Sequence, residues 1–254
     1  AEKIAIVQIA NSIIPVAYIC QPPLFPILIS LSVKLSIQYG NTAASAFAYV
    51  CYGTIACTLL QDVETGVKFG NLAIQVVASL DAKTVKPEVN NAAGLFIFHR
   101  KYHLNTVINL LQESYTGALE LGNYELAGYC AQNVCLNSFW SSQHLNSLES
   151  KVRAYSESLG KLNQLTTANY CRIYWQSILN LLSLASPPIS FAGEAIEETT
   201  FLPQIAAAHD LFGLFLFWLY KLMLCYLFGE IELANNYASE ARQYLMAGTG
   251  MVSI

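Results

Sequence analysis

Apolar side chains recur along most of this chain at spacings of three and four residues, which is the spacing of one face of an α-helix. No stretch alternates apolar and polar residues for long enough to predict a convincing β-strand. The pattern therefore predicts an all-α fold, an irregular tetratricopeptide-like helical-repeat superhelix of about ten helices. The predicted helices cover residues 3–19, 24–39, 42–60, 63–80, 92–121, 124–139, 143–160, 163–184, 204–228 and 231–246.

Three proline-containing segments interrupt the helical pattern, because proline lacks a backbone donor and disfavours helical geometry in the residue before it. These predicted breaks are residues 21–26, 81–90 and 185–193. No break in the pattern is followed by a different kind of periodicity. We therefore expect residues 1–254 to form a single helical-repeat domain.

The longest apolar run, LFGLFLFWLYKLMLCYLF over residues 211–228, has about the length that spans a bilayer. Lys221 lies inside this run, and a lysine at the centre of a membrane helix costs about 2.5–3.5 kcal/mol on insertion scales. The run also leads directly into a segment that recurs elsewhere in the chain. We therefore predict a buried helix of a soluble protein here, with no membrane span.

Three segments align without gaps: DVETGVKFGNLA from Asp62, NYELAGYCAQNV from Asn123 and EIELANNYASEA from Glu230. Each begins with a polar residue, an apolar residue and a glutamate, and a small residue follows two positions later. Further small or medium-sized residues come four and seven positions beyond it, which places them on one helix face. The predicted repeat-packing residues are Gly66, Gly70, Ala73, Gly122, Ala127, Ala131, Gly229, Ala234, Ala238 and Ala241.

The aligned segments predict a unit made of a helix, a tight turn and a second helix. Asp62 and Asn123 suit the N-cap position, since a short side-chain oxygen can accept an unpaired backbone N–H. The turn resembles that of a tetratricopeptide repeat, but the copies lie 61 and 107 residues apart instead of 34. Because only three degenerate copies exist, chance similarity among long amphipathic helices stays open as the alternative.

The composition adds an excess of apolar surface to this picture. The chain is 54% hydrophobic and only 12% charged, against about a quarter charged in ordinary soluble domains. The net charge is −4 and the lysines and arginines are scattered, so no nucleic-acid partner is predicted. The seven cysteines form no C-x-x-C pair, which indicates small buried residues in a reducing, cytoplasmic compartment.

The stretch HRKYH places His99 and His103 four residues apart, the spacing of two metal ligands on one helix face. A metalloprotease motif has glutamate after the first histidine, whereas this chain has Arg100. No third ligand is identifiable, so ordinary packing or surface histidines are favoured over a metal site. The pair remains a weak metal candidate.

Other titratable residues form no constellation that supports catalysis. His144 and His209 are isolated, and Glu194, Glu197 and Glu198 follow a proline-rich break as a charged helix start would. The sequence contains no phosphate-binding loop, nucleophile elbow or kinase catalytic loop. We therefore predict no catalytic residue, no cofactor and no resident metal in this chain.

Six stretches of the chain, taken together and in order, carry a resemblance to a known family. They are LSVKLSIQYGNTAASAFAYVCYGTI (31–55), DVETGVKFGNLAIQV (62–76), SYTGALELGNYELAGYCAQNVCLNSFWSSQHL (114–145), YCRIYWQSILNLL (170–182), FAGEAIEETTFLP (191–203) and KLMLCYLFGEIELANNYASEARQYL (221–245). These stretches resemble the tetratricopeptide-like middle region of very large cyanobacterial signalling proteins. The family combines a serine/threonine kinase domain, an AAA-type (STAND-like) ATPase, this helical region, a GAF domain and often a sensor histidine kinase. The resemblance implies a helical fold, no catalytic residues in this region, and a chain cut from a longer multidomain protein.

The pattern and the resemblance lead to one main hypothesis about function. We expect a non-catalytic helical-repeat module for protein–protein or interdomain interaction in a signal-transduction kinase/ATPase. Its partners would be neighbouring domains of the same signalling protein, or a partner protein or peptide. The alternative is a sensor module that binds a small inducer in a pocket between helices. A metal enzyme using His99 and His103 and a membrane protein are the remaining, less favoured hypotheses.

Overall fold

The computed structural model describes residues 2–20, 23–184 and 187–252, and it confirms the all-α helical-repeat class. Within those residues there are twelve α-helices and no strand. The helices are α1 (Glu2–Cys20), α2 (Leu24–Tyr39), α3 (Ala43–Thr58), α4 (Val63–Ser79), α5 (Lys86–Phe96), α6 (Leu104–Glu120), α7 (Tyr124–Phe139), α8 (Leu145–Lys161), α9 (Leu165–Leu181), α10 (Glu198–Ala207), α11 (Leu211–Leu227) and α12 (Ile231–Gln243).

Two of the predicted helices were wrong, because each is a pair of shorter helices. The predicted helix 92–121 is α5, a 3-10 helix over Phe98–Arg100, and α6. The predicted helix 204–228 is α10 and α11, separated at His209, which has a φ of 51°. The described residues therefore contain two helices more than the ten ranges of the prediction.

Two of the predicted breaks, 21–26 and 81–90, are shorter than expected because helices begin inside them, whereas the non-helical part of the break 185–193 continues to Glu197. Pro87 lies in the first turn of α5, where its missing N–H has no helical partner to lose, so this proline starts a helix. Only the beginning of the predicted break 81–90 is non-helical. In the other two breaks, residues 21, 22, 185 and 186 lie outside the described residues.

The chain divides into two compact units, Ala1–Cys130 and Ala131–Ile254, with the division inside α7. The expectation that residues 1–254 form a single domain stays a prediction. In the first unit, α3 packs against α1, α2, α4 and α5. Its central position explains why Ala46, Val50 and Cys57 are completely buried. A capping box between Thr42 and Ser45 begins this helix.

The core of the second unit is built on α9 and α11, which contact each other. Helix α8 packs on α9, and α12 packs on α11. The largest buried side chains here are aromatic, and they meet at tilted and edge-to-face angles, which aromatic rings prefer over face-to-face stacking. The fully buried members include Tyr174, Phe191, Phe215, Phe217 and Tyr220.

Helix α11 corresponds to the long apolar run. The one charged residue in this helix, Lys221, forms an ion pair. Lys221 is buried, and its Nζ lies 2.7 Å from Oε2 of Glu198 in the first turn of α10. Across the described ranges, every helix is too short or too polar to cross a bilayer.

The described cysteine side chains are all buried and free, as predicted. Burial raises the pKa of the Cys171 thiol, whose Sγ lies 3.7 Å from that of Cys135. Cys20 lies outside the described side chains. The six buried cysteines are Cys51, Cys57, Cys130, Cys135, Cys171 and Cys225.

Candidate functional site

The turns between paired helices share one conformation, in which a left-handed residue precedes the N-cap. Gly122 and Gly229 have φ values of 68° and 83°, and Gln61 has 55° at the matching position. Asp62 and Asn123 then cap the next helix, as predicted, through the backbone N–H groups three residues on. The three aligned segments are thus three copies of one helix-turn-helix junction.

The same junction occurs twice more at places that the sequence comparison missed. Asn163 and His209 have φ values of 58° and 51°, and each directly precedes the N-cap residue of the next helix. Ala168 is fully buried in α9 at the position that matches Ala127. The signal was present as LNQLTTA beside LGNYELA, but neither Asn163 nor His209 is a glycine that would mark the turn.

The first copy brings two backbones unusually close. A Cβ on Gly66 would lie 2.2 Å from Sγ of Cys57 and 2.9 Å from the carbonyl oxygen of Gly53. A Cβ on Gly70 would meet the Phe98 ring at 2.9 Å, and Ala73 is fully buried. Small side chains on this face of α4 therefore allow close packing on α3.

The other predicted packing residues fall into two groups. Ala127, Ala131, Ala234 and Ala241 are buried, whereas Ala238 is half-buried. Added Cβ atoms on Gly122 and Gly229 would meet no heavy atom within 4 Å. These two glycines supply the left-handed turn conformation, and they do not pack against a neighbouring helix.

The histidine pair does not share a helix, so the predicted placement was wrong. His99 lies in the 3-10 helix, and His103 is the N-cap of α6, where its Nδ1 accepts the N–H of Asn105 at 3.2 Å. Among the described side chains, no group of three or more His, Cys, Asp or Glu residues could hold a metal ion. The metal candidate His99/His103 thus has no third ligand there.

The glutamates Glu194, Glu197 and Glu198 have different surroundings. Glu198 lies in the first turn of α10, where the predicted helix start is found, and pairs with Lys221. Glu197 accepts the Thr199 hydroxyl at 3.0 Å, and Glu194 is exposed.

Two helices at the start of the chain expose apolar side chains in rows, which we call the apolar stripes. On α1 the offsets are four and seven residues, and on α2 they are three and seven, so each row follows one helix side. Ile9 and Ile27 are 60% and 64% exposed, far more than a core position. The apolar stripes are Ile9, Ile13 and Val16 on α1 and Leu24, Ile27 and Leu31 on α2.

An apolar groove of about 190 Å³ lies between α11, α12 and the 3-10 helix Leu245–Gly248. Phe215 lies at its buried end, and Arg242 lies at its exposed rim. The remaining lining residues are Leu219, Leu222, Ala238, Ala241 and Leu245.

No protein-family model and no curated protein matches this chain.

His99 makes the stability of the first unit pH-dependent. Burial, and next the Arg100 guanidinium, lowers the pKa of His99 to about 4, below the value of about 6.5 expected for an unfolded chain. Neutral His99 therefore favours folding, and this stability is complete above about pH 6.5 and lost as the pH falls towards 4. We expect a loss on the order of 2 kcal/mol.

Urea unfolding at pH 7 and at pH 4.5 measures this loss. His99→Gln removes the titrating group, so its variant should lose less stability than the unaltered chain between these pH values. His144→Gln changes an exposed histidine and is the matched control. Equal losses in both variants would contradict the assignment to His99.

Proposed function

We propose that this chain is a non-catalytic helical-repeat module that holds a protein partner or a neighbouring domain in a signal-transduction kinase/ATPase. The apolar stripes of α1 and α2 carry the proposal, because contiguous exposed apolar surface is typical of an interaction site. Ile9 and Ile27 have most of their surface in solvent, and a partner that covered them would remove that surface from water. The kinase/ATPase setting is supported by the sequence resemblance.

The helix junctions support the proposal by explaining how such a surface is held in place. The hairpins capped by Asp62 and Asn123 are fixed at their turns by a left-handed residue and an N-cap, and both α1 and α2 pack on α3. Helices that are already ordered lower the cost of ordering the backbone on binding. The stripes are therefore suited to recognising another apolar helix or domain face.

Site-specific photo-cross-linking in the source cells tests this function. A photoreactive side chain at position 9 or 27 should give a discrete cross-linked product with one protein or one flanking domain. The matched control is position 83, where the Lys83 side chain is 80% exposed and has a carboxylate neighbour. No discrete product, or the same products from position 83, would contradict the proposal.

A second candidate function is a sensor for a small apolar effector, and the groove between α11 and α12 favours it. The groove volume of about 190 Å³ suits a small ligand, and Arg242 at the rim could pair with an acidic group. A thermal-shift screen of small aromatic and aliphatic acids, with and without Phe215→Ala, tests this candidate. Failure of every acid to raise the melting temperature would contradict it.

A further inference from the structure

A non-helical segment between α9 and α10 packs on helices of the second unit through a small number of side-chain and backbone contacts. We call residues 187–197 the strap. The side chains of Phe191 and Ile196 are 0% and 3% exposed, while the other side chains of the strap are exposed or half-buried. An isolated antiparallel bridge between Ala192 and Glu197 folds the strap back on itself. The strap thus forms a folded-back loop of turns and bends with two apolar anchors.

Two amide side chains on α9, which we call the amide pair, hold the backbone of the strap. Oε1 of Gln176 accepts the N–H groups of Ala195 and Ile196 at 3.2 and 3.1 Å. Nδ2 of Asn180 donates to the carbonyl oxygens of Pro188 and Ser190, both at 2.7 Å. An amide group has donors and an acceptor, so it can take the place of a backbone partner.

The two side chains of the amide pair are also hydrogen-bonded to each other. Gln176 and Asn180 lie one helical turn apart, both are completely buried, and Nε2 of Gln176 donates to Oδ1 of Asn180 at 2.9 Å. With that bond formed, Oε1 of Gln176 can still accept hydrogen bonds and Nδ2 of Asn180 can still donate them. The strap backbone therefore supplies the remaining hydrogen-bond partners of these buried amides.

The side-chain contacts of the strap centre on Phe191. Its ring packs edge-to-face on Phe217 with the centroids 5.3 Å apart, and Nζ of Lys221 lies 5.7 Å from the ring centroid. Oε2 of Glu198 accepts both the Lys221 ammonium at 2.7 Å and the Phe191 N–H at 3.3 Å. The surface therefore takes one aromatic ring and one carboxylate.

Gly193 adds a steric requirement between these two contacts. A Cβ at this position would lie 2.7 Å from Nε2 and 3.0 Å from Oε1 of Gln176. A larger side chain would push the amide away from the backbone N–H groups that it binds. The surface therefore favours a residue without a side chain two positions after the aromatic ring.

We propose that the amide pair, Phe217 and Lys221 form a groove for a peptide that folds back on itself, and that the strap is its intramolecular occupant. The partner is a peptide segment with an aromatic residue, a glycine two positions later and a carboxylate that reaches Lys221. This inference rests on the proposed function as an interaction module. The strap contains no helix and most of its side chains are exposed or half-buried, so it can open locally while the helices stay folded, and a competing peptide can then bind.

A synthetic peptide of residues 187–198, PPISFAGEAIEE, tests the groove on the full chain. Phe191→Ala weakens the strap in the chain and leaves the groove residues unchanged. We expect fluorescence anisotropy to show at least tenfold tighter binding of this peptide to the Phe191→Ala chain than to the unaltered chain. The same peptide with alanine in place of phenylalanine should bind at least tenfold more weakly.

The Phe191→Ala/Asn180→Leu chain is the matched control, and loss of binding to it supports recognition by the amide pair. Absence of binding to Phe191→Ala, or equal binding of the two peptides, would overturn the proposal. If Phe191→Ala does not fold, hydrogen exchange on the unaltered chain decides. Excess peptide must then speed exchange at the N–H groups of Ala195 and Ile196, and unchanged exchange overturns the proposal. Cross-linking at positions 9 and 27 reports on the proposed function separately.

Discussion

Glu198→Gln should destabilise the second unit by about 2–4 kcal/mol, because it leaves the Lys221 ammonium buried without an opposite charge. The Lys221 side chain is 5% exposed, its Nζ lies 2.7 Å from Oε2 of Glu198, and Phe191 and Tyr237 are its aromatic neighbours. The amide of glutamine can still accept a hydrogen bond from Lys221, which keeps the expected loss below that of a complete deletion. Urea unfolding at pH 7 measures it.

Removing the lysine of this ion pair should cost less than removing the glutamate charge, because Glu198 is less buried than Lys221. The Glu198 side chain is 27% exposed, so water can solvate its carboxylate when Lys221→Met removes the ammonium. Methionine also keeps most of the apolar volume of the lysine stem. We expect about 1 kcal/mol for Lys221→Met, and the double variant should be no less stable than Glu198→Gln alone.

Glu197→Gln is the matched control, because the neighbouring Glu197 is exposed and its carboxylate accepts a hydrogen bond from the uncharged Thr199 hydroxyl. Its effect should stay within about 0.5 kcal/mol, as is usual at the surface. If Glu197→Gln and Glu198→Gln lowered the free energy of unfolding equally, the ion pair would have no special role in stability.

Features that depend on neighbouring residues in the sequence were predictable, and features that depend on tertiary contacts were not. Asp62 and Asn123 cap helices because their oxygens reach N–H groups only three residues away. The split at His209 was missed because a histidine in the left-handed conformation carries no sequence signal of a turn. Lys221 was recognised as misplaced in an apolar run, but its partner Glu198 lies 23 residues away.

The candidate sites also differ in how far the sequence predicted them. The composition predicted excess apolar surface, and the apolar stripes provide such a surface, although the sequence did not place it on α1 and α2. Gln176 and Asn180 gave no signal, since a polar pair at i and i+4 is also typical of a solvated helix face. Only their complete burial against the strap distinguishes them. Their role depends on the course of a segment that has no periodic pattern.

Gly66→Ala should destabilise the first unit by about 1–3 kcal/mol, the usual cost of overpacking a core. The added methyl would overlap Sγ of Cys57 at 2.2 Å and approach the carbonyl oxygen of Gly53 at 2.9 Å. The sulfur can move by rotation of its side chain, but the carbonyl belongs to the backbone of α3. Relief therefore requires the two helices to separate, which loosens the contacts along their whole length. Thermal and urea unfolding measure the loss.

Gly160→Ala is the matched control, because Gly160 is also a helical glycine and an added Cβ would meet no heavy atom within 4 Å. Alanine there should leave stability unchanged or raise it by up to about 1 kcal/mol through helix propensity. Cys57→Ala in the Gly66→Ala background should restore part of the loss, since it removes the sulfur contact but leaves the Gly53 carbonyl. Equal stabilisation by Gly66→Ala and Gly160→Ala would show that α3 and α4 do not need this close approach, and the aligned small residues would then reflect helix composition alone.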